Sequence, residues 1–245
     1  MNGATVQGIY KSTIHLSLNE AIITIGFGLG RGKHHILIDH PVDFYSHDLT
    51  IGTIVFCKEQ SIHIGSLILD VKDESFSIFS PYTKTYRINL KSFETIKRLK
   101  LMIQDQHHHN VFTYQKDDPW LKYQFDKIDI FLSSPGLPSA LSILGLGMGL
   151  TPLGDDILTG FILGLNTVGK TLPWIPQLIL DAKKKTNKLS AQNLSDTYER
   201  YYPDLFIDML EGLLIEHDIE KAKSVLNLGA TSGAGILTGF IYGLM

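Results

Sequence analysis

The chain contains one phrase twice, and this repeat constrains its fold more than any other feature. The first copy, GDDILTGFILGL, runs from Gly154 to Leu165, and the second, GAGILTGFIYGL, runs from Gly233 to Leu244. Both copies are mostly apolar and carry two glycines four residues apart, which places these glycines on one helix face. Glycine inside a helix costs about 1 kcal/mol relative to alanine. We therefore expect the missing side chains to permit close approach of two backbones, in a buried and pseudo-symmetric helix pair.

The ends of the first repeated helix are marked by residues with known helix preferences. Thr151 is the expected N-cap, and Pro152 is expected at the first helical position, where its missing N–H costs little. Gly169 is expected to end the helix. The branched and aromatic positions of both copies are expected to be core: Ile157, Leu158, Phe161, Ile162, Ile236, Leu237, Phe240 and Ile241.

Residues 1–91 are predicted to form a β-rich domain. Short runs rich in Ile, Val and Phe alternate there with Gly, Asp, Ser or Pro, and helical periodicity is absent. The predicted strands lie within AIITIGF, HHILID, TIVFC, SIHIGSLILDV and SFSIFS. Runs at such close spacing favour an antiparallel sheet or a small barrel.

Residues 92–245 are predicted to form a mainly α-helical domain that carries the repeated helix. Helical spacing of apolar residues begins at Ser92, the expected N-cap of a helix that continues to about Gln106. A second helix is expected from Pro119 until Pro135 stops it. Further helices are predicted at about 152–168, 173–185, 189–200, 203–216, 218–227 and 233–244. The predicted fold class is therefore α+β, with the boundary between residues 91 and 92.

Composition limits the classes of function that the chain can have. Its 22 Lys and Arg and 25 Asp and Glu give a net charge of −3, which does not indicate a nucleic-acid partner. The longest apolar runs are shorter than the ~20 residues that span a bilayer, and no secretory signal is recognisable. The single cysteine excludes an internal disulfide and fits a reducing compartment. We therefore expect a cytoplasmic protein that binds neither membrane nor nucleic acid.

A glycine-rich segment, GLGMGLTPLGDD, leads into the first repeated helix. Gly145, Gly147 and Gly149 precede the expected cap, and Gly154 lies in the first helical turn. Glycines allow positive φ and close approach of backbone amides to a ligand, and a helix N-terminus favours anions. The spacing matches neither the P-loop nor the dinucleotide-binding fingerprint. The segment therefore indicates a phosphate or carboxylate site that includes Thr151, or else a tight packing turn.

Two adjacent carboxylates, Asp155 and Asp156, distinguish the first copy from the second, which has Ala234 and Gly235 instead. Two carboxylates near an anion site can hold Mg²⁺ and bridge it to phosphate oxygens. Alternatively, one of them accepts a proton or binds an amine. A purely structural role would be interaction with the helix dipole, which contributes up to about 1 kcal/mol. Both residues are candidate catalytic groups and candidate metal ligands, with Mg²⁺ as the cofactor that they would hold.

These residues resemble the signature of a bacterial family that includes the AllH-type subunit of oxamate carbamoyltransferase, from allantoin degradation. The resemblance spans most of the chain and is most specific at Gly149–Asp156. It implies ligand contacts at the loop glycines, at Thr186 and Ser190 in TNKLSAQNL, and at Ser232 and Gly233 in GATSGAG. It also implies carbamoyl-transfer or carbamoyl-phosphate chemistry on a small anionic ligand, in a complex with other subunits.

The chain departs from that family pattern at three positions. Met148 stands where a proline is expected, and Leu153 stands where a small polar residue is expected. Gly235 stands where an aspartate is common in relatives. Because Gly235 aligns with Asp156 in the internal repeat, the second copy lacks a carboxylate that relatives carry.

Four weaker candidates receive structural interpretations. Gly26–His35 is predicted to be a hairpin loop, because it lies between two strand-like runs with no helix after it. His107–His109 is predicted to be a solvated helix end, since adjacent histidines fan out around a helix. Cys57 is predicted to be a buried, inert thiol on a strand. Ser232 is predicted to cap the last helix and to direct its start towards the same ligand as the first.

The sequence thus predicts a subunit of a carbamoyltransferase-type complex that binds a small anionic or phosphate-bearing ligand at the helix start of Thr151–Asp156. Whether the chain is itself an enzyme is left open. One alternative is a non-catalytic ligand-binding or regulatory module, and another is a scaffold whose repeated helices serve packing alone.

Overall fold

The chain divides into two compact units, Met1–Ser80 and Pro81–Met245. The computed structural model describes residues 3–28, 30–71, 79–106 and 118–245. The first residues of the second unit form neither helix nor strand, yet the backbone N–H of Tyr82 donates to the Arg200 carbonyl at 2.8 Å. This bond joins the segment to the helical unit. The sequence pattern placed the boundary between residues 91 and 92, and the first helix begins at Leu90.

A seven-stranded sheet forms the described part of the first unit. Its strands are β1 (Ala4–Ile9), β2 (Thr13–Leu18), β3 (Ala21–Gly26), β4 (His35–Leu37), β5 (Ile54–Lys58), β6 (Ser61–Ile64) and β7 (Leu67–Asp70). The order is β4-β3-β2-β1-β5-β6-β7, and every neighbouring pair is antiparallel except β3 and β4. The sheet is therefore mixed, with one parallel pair among antiparallel ones, where the sequence predicted an antiparallel sheet or a small barrel.

The glycine-rich connection between β3 and β4 is not the hairpin loop that the sequence predicted. Thr24 pairs with His35 in parallel register, so the connection must bring the chain back to the same end of the sheet. Gly28 and Gly30 have φ values of +73° and +67°. Glycine adopts this left-handed conformation readily, which allows the chain to turn twice within a short connection.

The core of the first unit uses alternate strand positions, because successive side chains of a strand point to opposite faces. Ile14 and Leu16 of β2 are fully buried, and so is Val55 of β5. Cys57 is exposed, which corrects the prediction of a buried thiol. Among the residues of β5 only Val55 is buried, so the core covers one position of this strand and does not extend to Cys57.

The second unit is helical. Its described helices are α1 (Leu90–Gln106), α2 (Pro119–Ser133), α3 (Leu137–Ile143), α4 (Leu153–Thr167), α5 (Ile175–Lys185), α6 (Lys188–Tyr198), α7 (Asp204–Glu211), α8 (Lys223–Leu226) and α9 (Ser232–Leu244). The sequence did not predict α3, and it predicted one helix where α7 ends in a π-turn at Gly212–Glu216. Within the described residues, no helix is both long and apolar enough to cross a membrane.

The two repeated helices, α4 and α9, pack directly against each other. A Cβ added to Gly160 would overlap the carbonyl oxygen of Ile236, and one added to Gly239 would overlap that of Ile157. The glycines one turn later make the same kind of contact. A Cβ on Gly164 would overlap the carbonyl oxygen of Phe240, and one on Gly243 would overlap that of Phe161. Because Ile157 and Ile236 are equivalent in the repeat, the contact has approximate two-fold symmetry. The predicted helix pair is confirmed, and all eight predicted core positions are buried.

Two helix ends show how local chemistry sets the boundaries. Ser92 lies inside α1 and is not its N-cap, because the Asn89 side chain accepts the Ser92 N–H at 2.9 Å and so caps the helix. Gly169 has a φ of +70° just after α4, as expected of a residue that ends a helix. His107–His109 and most of SFSIFS lie outside the described residues.

Candidate functional site

The starts of α4 and α9 meet through a hydrogen bond between two hydroxyls. Thr151 Oγ1 lies 2.7 Å from Ser232 Oγ. Thr151 was predicted to cap α4, but Pro152 holds the N-cap position and the threonine side chain turns to the other helix instead. Ser232 is likewise the first residue of α9 and not its cap, which is Thr231. The two hydroxyls therefore join the repeated helices at their starts.

Asp155 is buried and its carboxylate joins three segments of the helical unit. One oxygen accepts the backbone N–H of Gly145 at 2.6 Å, and the other accepts the Thr186 hydroxyl. The buried Ser190 hydroxyl also interacts with this carboxylate. Burial raises the pKa of Asp155, and the hydrogen bonds that it accepts oppose this rise. The arrangement positions the glycine-rich loop and the start of α6 around α4.

Asp156 is equally buried but is not held in the same way. Its Oδ2 atom has no hydrogen-bond partner among the described residues. Burial raises the pKa of this carboxyl to about 8, the charge of Asp155 adds to the rise, and the neighbouring hydroxyls of Ser232 and Thr151 oppose it. At neutral pH the carboxyl is therefore mainly protonated, so that it can donate a hydrogen bond as well as accept one.

Four backbone amides at the two helix starts donate to protein carbonyls. The Gly154 N–H bonds to Leu146 O at 2.8 Å, and the N–H groups of Asp155 and Asp156 bond to Pro152 O. The Gly233 N–H bonds to Leu228 O at 2.9 Å. A Cβ on Gly154 or Gly233 would also overlap backbone carbonyls of the preceding helices, so these two glycines serve close packing. These four amides are therefore not available to an anion.

The three loop glycines all have positive φ but differ in their surroundings. Gly145, Gly147 and Gly149 have φ values of +75°, +125° and +100°. A Cβ on Gly145 would lie 2.8 Å from the Lys185 carbonyl oxygen, and one on Gly147 would lie 2.6 Å from the amide nitrogen of Leu153. At Gly149 nothing lies within 4 Å. The first two glycines are thus required for packing, whereas the backbone of Gly149 is open to an approaching molecule.

Asn187 also organises this region, although it was not among the residues predicted from the sequence. Its Nδ2 donates to the Leu150 carbonyl at 2.8 Å, and its Oδ1 accepts the Ser190 N–H at 3.0 Å. It therefore caps α6 and holds the end of the glycine-rich loop at the same time. The signal was present, because asparagine directly before an apolar-periodic segment is a favoured N-cap.

The predicted Mg²⁺ site has few protein ligands. The described residues contain no group of three or more His, Cys, Asp or Glu side chains that could hold a metal ion. Asp155 already uses both oxygens, which leaves the Oδ2 atom of Asp156 as the free carboxylate oxygen. A magnesium ion here would need most of its six ligands from water or from a bound phosphate.

In the second copy, Gly235 stands at the position that matches Asp156, and neighbouring side chains occupy the space where its own side chain would be. A Cβ on Gly235 would lie 3.1 Å from Asp156 Cβ and 2.9 Å from Leu153 Cδ1. Leucine at position 153 therefore occupies space that a side chain at position 235 would need. Leu153 and Gly235 thus lie next to each other.

Fold and site together define an α+β protein whose helical unit carries a buried acidic site between two related helix starts. Residues 143–244 match the family model of the oxamate carbamoyltransferase subunit AllH. This match confirms the resemblance that the signature predicted. It covers the chain from the end of α3 to the end of α9, and thus the whole site. No curated protein and no solved structure matches the chain.

Proposed function

We propose that this chain is a subunit of a carbamoyltransferase-type complex and that it binds a small anionic or phosphate-bearing ligand where α4 and α9 begin. The family match supports an association with carbamoyltransferase subunits. The observation that carries the ligand site is the Oδ2 atom of Asp156, a buried polar atom without a partner among the described residues. A buried polar group left unpaired costs about 1–3 kcal/mol, which a bound ligand recovers.

The ligand chemistry follows from the protonation state of Asp156. Because its pKa is raised to about 8, the carboxyl is neutral at physiological pH and does not repel an anion. A neutral carboxyl donates its O–H to a ligand oxygen. One of the Thr151 and Ser232 hydroxyls donates to the other, which leaves one further hydroxyl donor beside the carboxyl. Two adjacent O–H donors suit a phosphate, a carboxylate or a carbamoyl oxygen.

Thermal unfolding with and without ligand tests this proposal. Carbamoyl phosphate, oxamate and inorganic phosphate are the probes, each measured with and without Mg²⁺. We expect Asp156→Asn to retain ligand-induced stabilisation, since an amide also donates a hydrogen bond, and Asp156→Ala to lose it. Asp126→Asn changes an exposed aspartate of α2 and is the matched control.

Two results would point elsewhere. Loss of stabilisation in Asp156→Asn together with a strict need for Mg²⁺ would show that the ionised carboxylate holds a metal ion. Absence of stabilisation by every probe in the wild-type chain, alone and with its partner subunits, would leave the helix pair as a packing scaffold.

A further inference from the structure

A groove on the helical unit shares no residue with the site of Asp156. It has a volume of about 340 Å³ and is lined by α1 and by the residue that follows the π-turn after α7: Leu90, Lys91, Glu94, Thr95, Arg98 and His217. The Ser92 hydroxyl donates to Leu214 O at 3.4 Å, so the π-turn packs against the first turn of α1. The volume is in the range of pockets that bind small molecules.

His217 holds an unusual backbone conformation at the edge of this groove. Its φ is +58° and its ψ is +34°, the left-handed region that non-glycine residues rarely adopt. It directly follows the π-turn Gly212–Glu216, and such turns often accompany functional sites. A residue kept in a strained conformation beside a groove points to a role for its side chain.

The ring of His217 has one nitrogen turned away from solvent. Its Nδ1 atom is buried and has no hydrogen-bond partner among the described residues. A buried N–H without an acceptor is rarer than an unused lone pair, so we assign the N–H of the ring to Nε2. Because His217 lines the groove and Nδ1 is buried, Nε2 is the nitrogen that can donate into the groove.

Cationic side chains outnumber anionic ones along the groove. Lys91 and Arg98 are seven residues apart on α1 and thus share one face of the helix, and both are exposed. Within the described residues neither forms an ion pair. His217 has an acidic neighbour on each side: Glu216 forms an ion pair with Lys221 at 2.7 Å, and Asp218 accepts the backbone N–H of Glu220 at 2.9 Å. Glu94 is the one acidic side chain among the six lining residues.

We propose that this groove binds a small phosphate-bearing molecule, with Lys91 and Arg98 contacting the phosphate oxygens and the His217 ring donating a further hydrogen bond. A guanidinium, an ammonium and an imidazole N–H on two separate elements match the several acceptor oxygens of a phosphate. Glu94 accepts an N–H or O–H from the rest of the ligand, and Leu90 supplies an apolar contact.

The test is an NMR titration of the His217 ring with inorganic phosphate, with sodium chloride at matched ionic strength and succinate as the comparison dianion. His217→Asn assigns the resonance, and asparagine tolerates the left-handed backbone, so this variant is expected to fold and to bind phosphate more weakly. Wild type is expected to show a saturable shift with phosphate. Arg98→Gln and Lys91→Gln are expected to weaken binding about tenfold, which corresponds to about 1.4 kcal/mol each.

Lys97→Gln is the matched control, because Lys97 is an exposed lysine of α1 that does not line the groove. A control that weakens phosphate binding as much as Lys91→Gln would overturn the proposal in favour of general electrostatics. A shift that does not saturate, or that succinate reproduces at equal concentration, would overturn it as well. The titration is repeated in Asp156→Ala. An unchanged His217 response in this variant shows that phosphate binding in the groove does not depend on the site of Asp156.

Discussion

At the scale of single residues, Asp156 gives stability a pH dependence with a definite sign. Its folded-state pKa is raised from 3.8 to about 8, mainly by burial. Between these values the unfolded chain binds fewer protons than the folded one, so stability falls as pH rises. One pKa unit is worth about 1.4 kcal/mol. As the pH rises from about 5 to about 8, we therefore expect the free energy of unfolding of Asp156→Asn to increase by about 2–4 kcal/mol relative to that of wild type.

Urea unfolding of both proteins at several pH values measures this difference. Asp126→Asn is expected to follow the wild-type curve, because Asp126 is exposed. Parallel curves for wild type and Asp156→Asn would show that the Asp156 carboxyl is not neutral in the folded protein.

The hydrogen bonds of Asp155 are expected to stabilise the folded protein, which is not expected of Asp156. Asp155→Ala leaves the Gly145 N–H and the Thr186 hydroxyl without their acceptor. Unpaired buried donors cost about 1–3 kcal/mol each, so we expect a loss of about 2–4 kcal/mol in the free energy of unfolding. Thr186→Val removes one donor and keeps the acceptor, and is expected to cost about 1 kcal/mol. An Asp155→Ala variant as stable as Asp126→Ala would refute this role.

Much of the site was predictable from the sequence, but the partner of each residue was not. The repeated phrase and the glycine-rich loop identified the start of α4, and the family pattern added Thr186, Ser190 and Ser232. Cap preferences placed Thr151 and Ser232 at N-cap positions by their residue type alone. In the structure their hydroxyls bond to each other across two helices, which local sequence rules cannot anticipate.

At the scale of helices, the α4 and α9 contact depends on its glycines. Alanine normally stabilises a helix interior by about 1 kcal/mol over glycine. In Gly160→Ala and Gly239→Ala the new methyl group overlaps a carbonyl oxygen of the partner helix, so each is expected to destabilise by about 3 kcal/mol. Thermal and urea unfolding measure the effect.

The two substitutions are expected to cost similar amounts, because the contact is reciprocal. Combined, they are expected to cost less than their sum, since one separation of the helices relieves both overlaps. Gly136→Ala is the control, as a Cβ there would have Pro138 Cδ as its nearest neighbour at 3.9 Å. Tolerance of Gly160→Ala at the level of this control would contradict direct contact between the helices.

The helices were easier to predict than the strands, for a physical reason. Periodicity over several turns identified α1, α2, α4, α5, α6 and α9 to within about three residues. α3 has only seven residues, too few for a periodic signal, and the π-turn after α7 leaves the apolar pattern almost unchanged. The parallel pairing of β4 with β3 depends on the course of the connecting chain, which residue alternation does not encode.

At the scale of the whole molecule, the described residues of each unit form hydrophobic clusters of their own. The cluster of the first unit includes Phe44, Val55 and Ile64, and its members all precede the helical unit. The two clusters of the second unit contain residues of that unit alone. We therefore expect a fragment of residues 81–245 to fold by itself and to unfold cooperatively.

Circular dichroism and the dispersion of amide NMR signals measure whether this fragment is folded. The ligand site also lies entirely within it, so stabilisation by the probes that act on the full chain is expected to be retained. A fragment with helical content but no cooperative transition would show that the β-rich unit is needed to complete the helical core.

The reciprocal helix contact also bears on the order in which the chain acquires structure. Synthesis delivers α4 well before α9, with the chain from α5 to α8 made in between. Until α9 emerges, the glycine face of α4 has no partner, and the apolar surface around it can associate with other molecules. Joining the helices also closes a long loop, which slows folding. The rate-limiting event in forming this unit is thus expected to be the arrival and docking of α9.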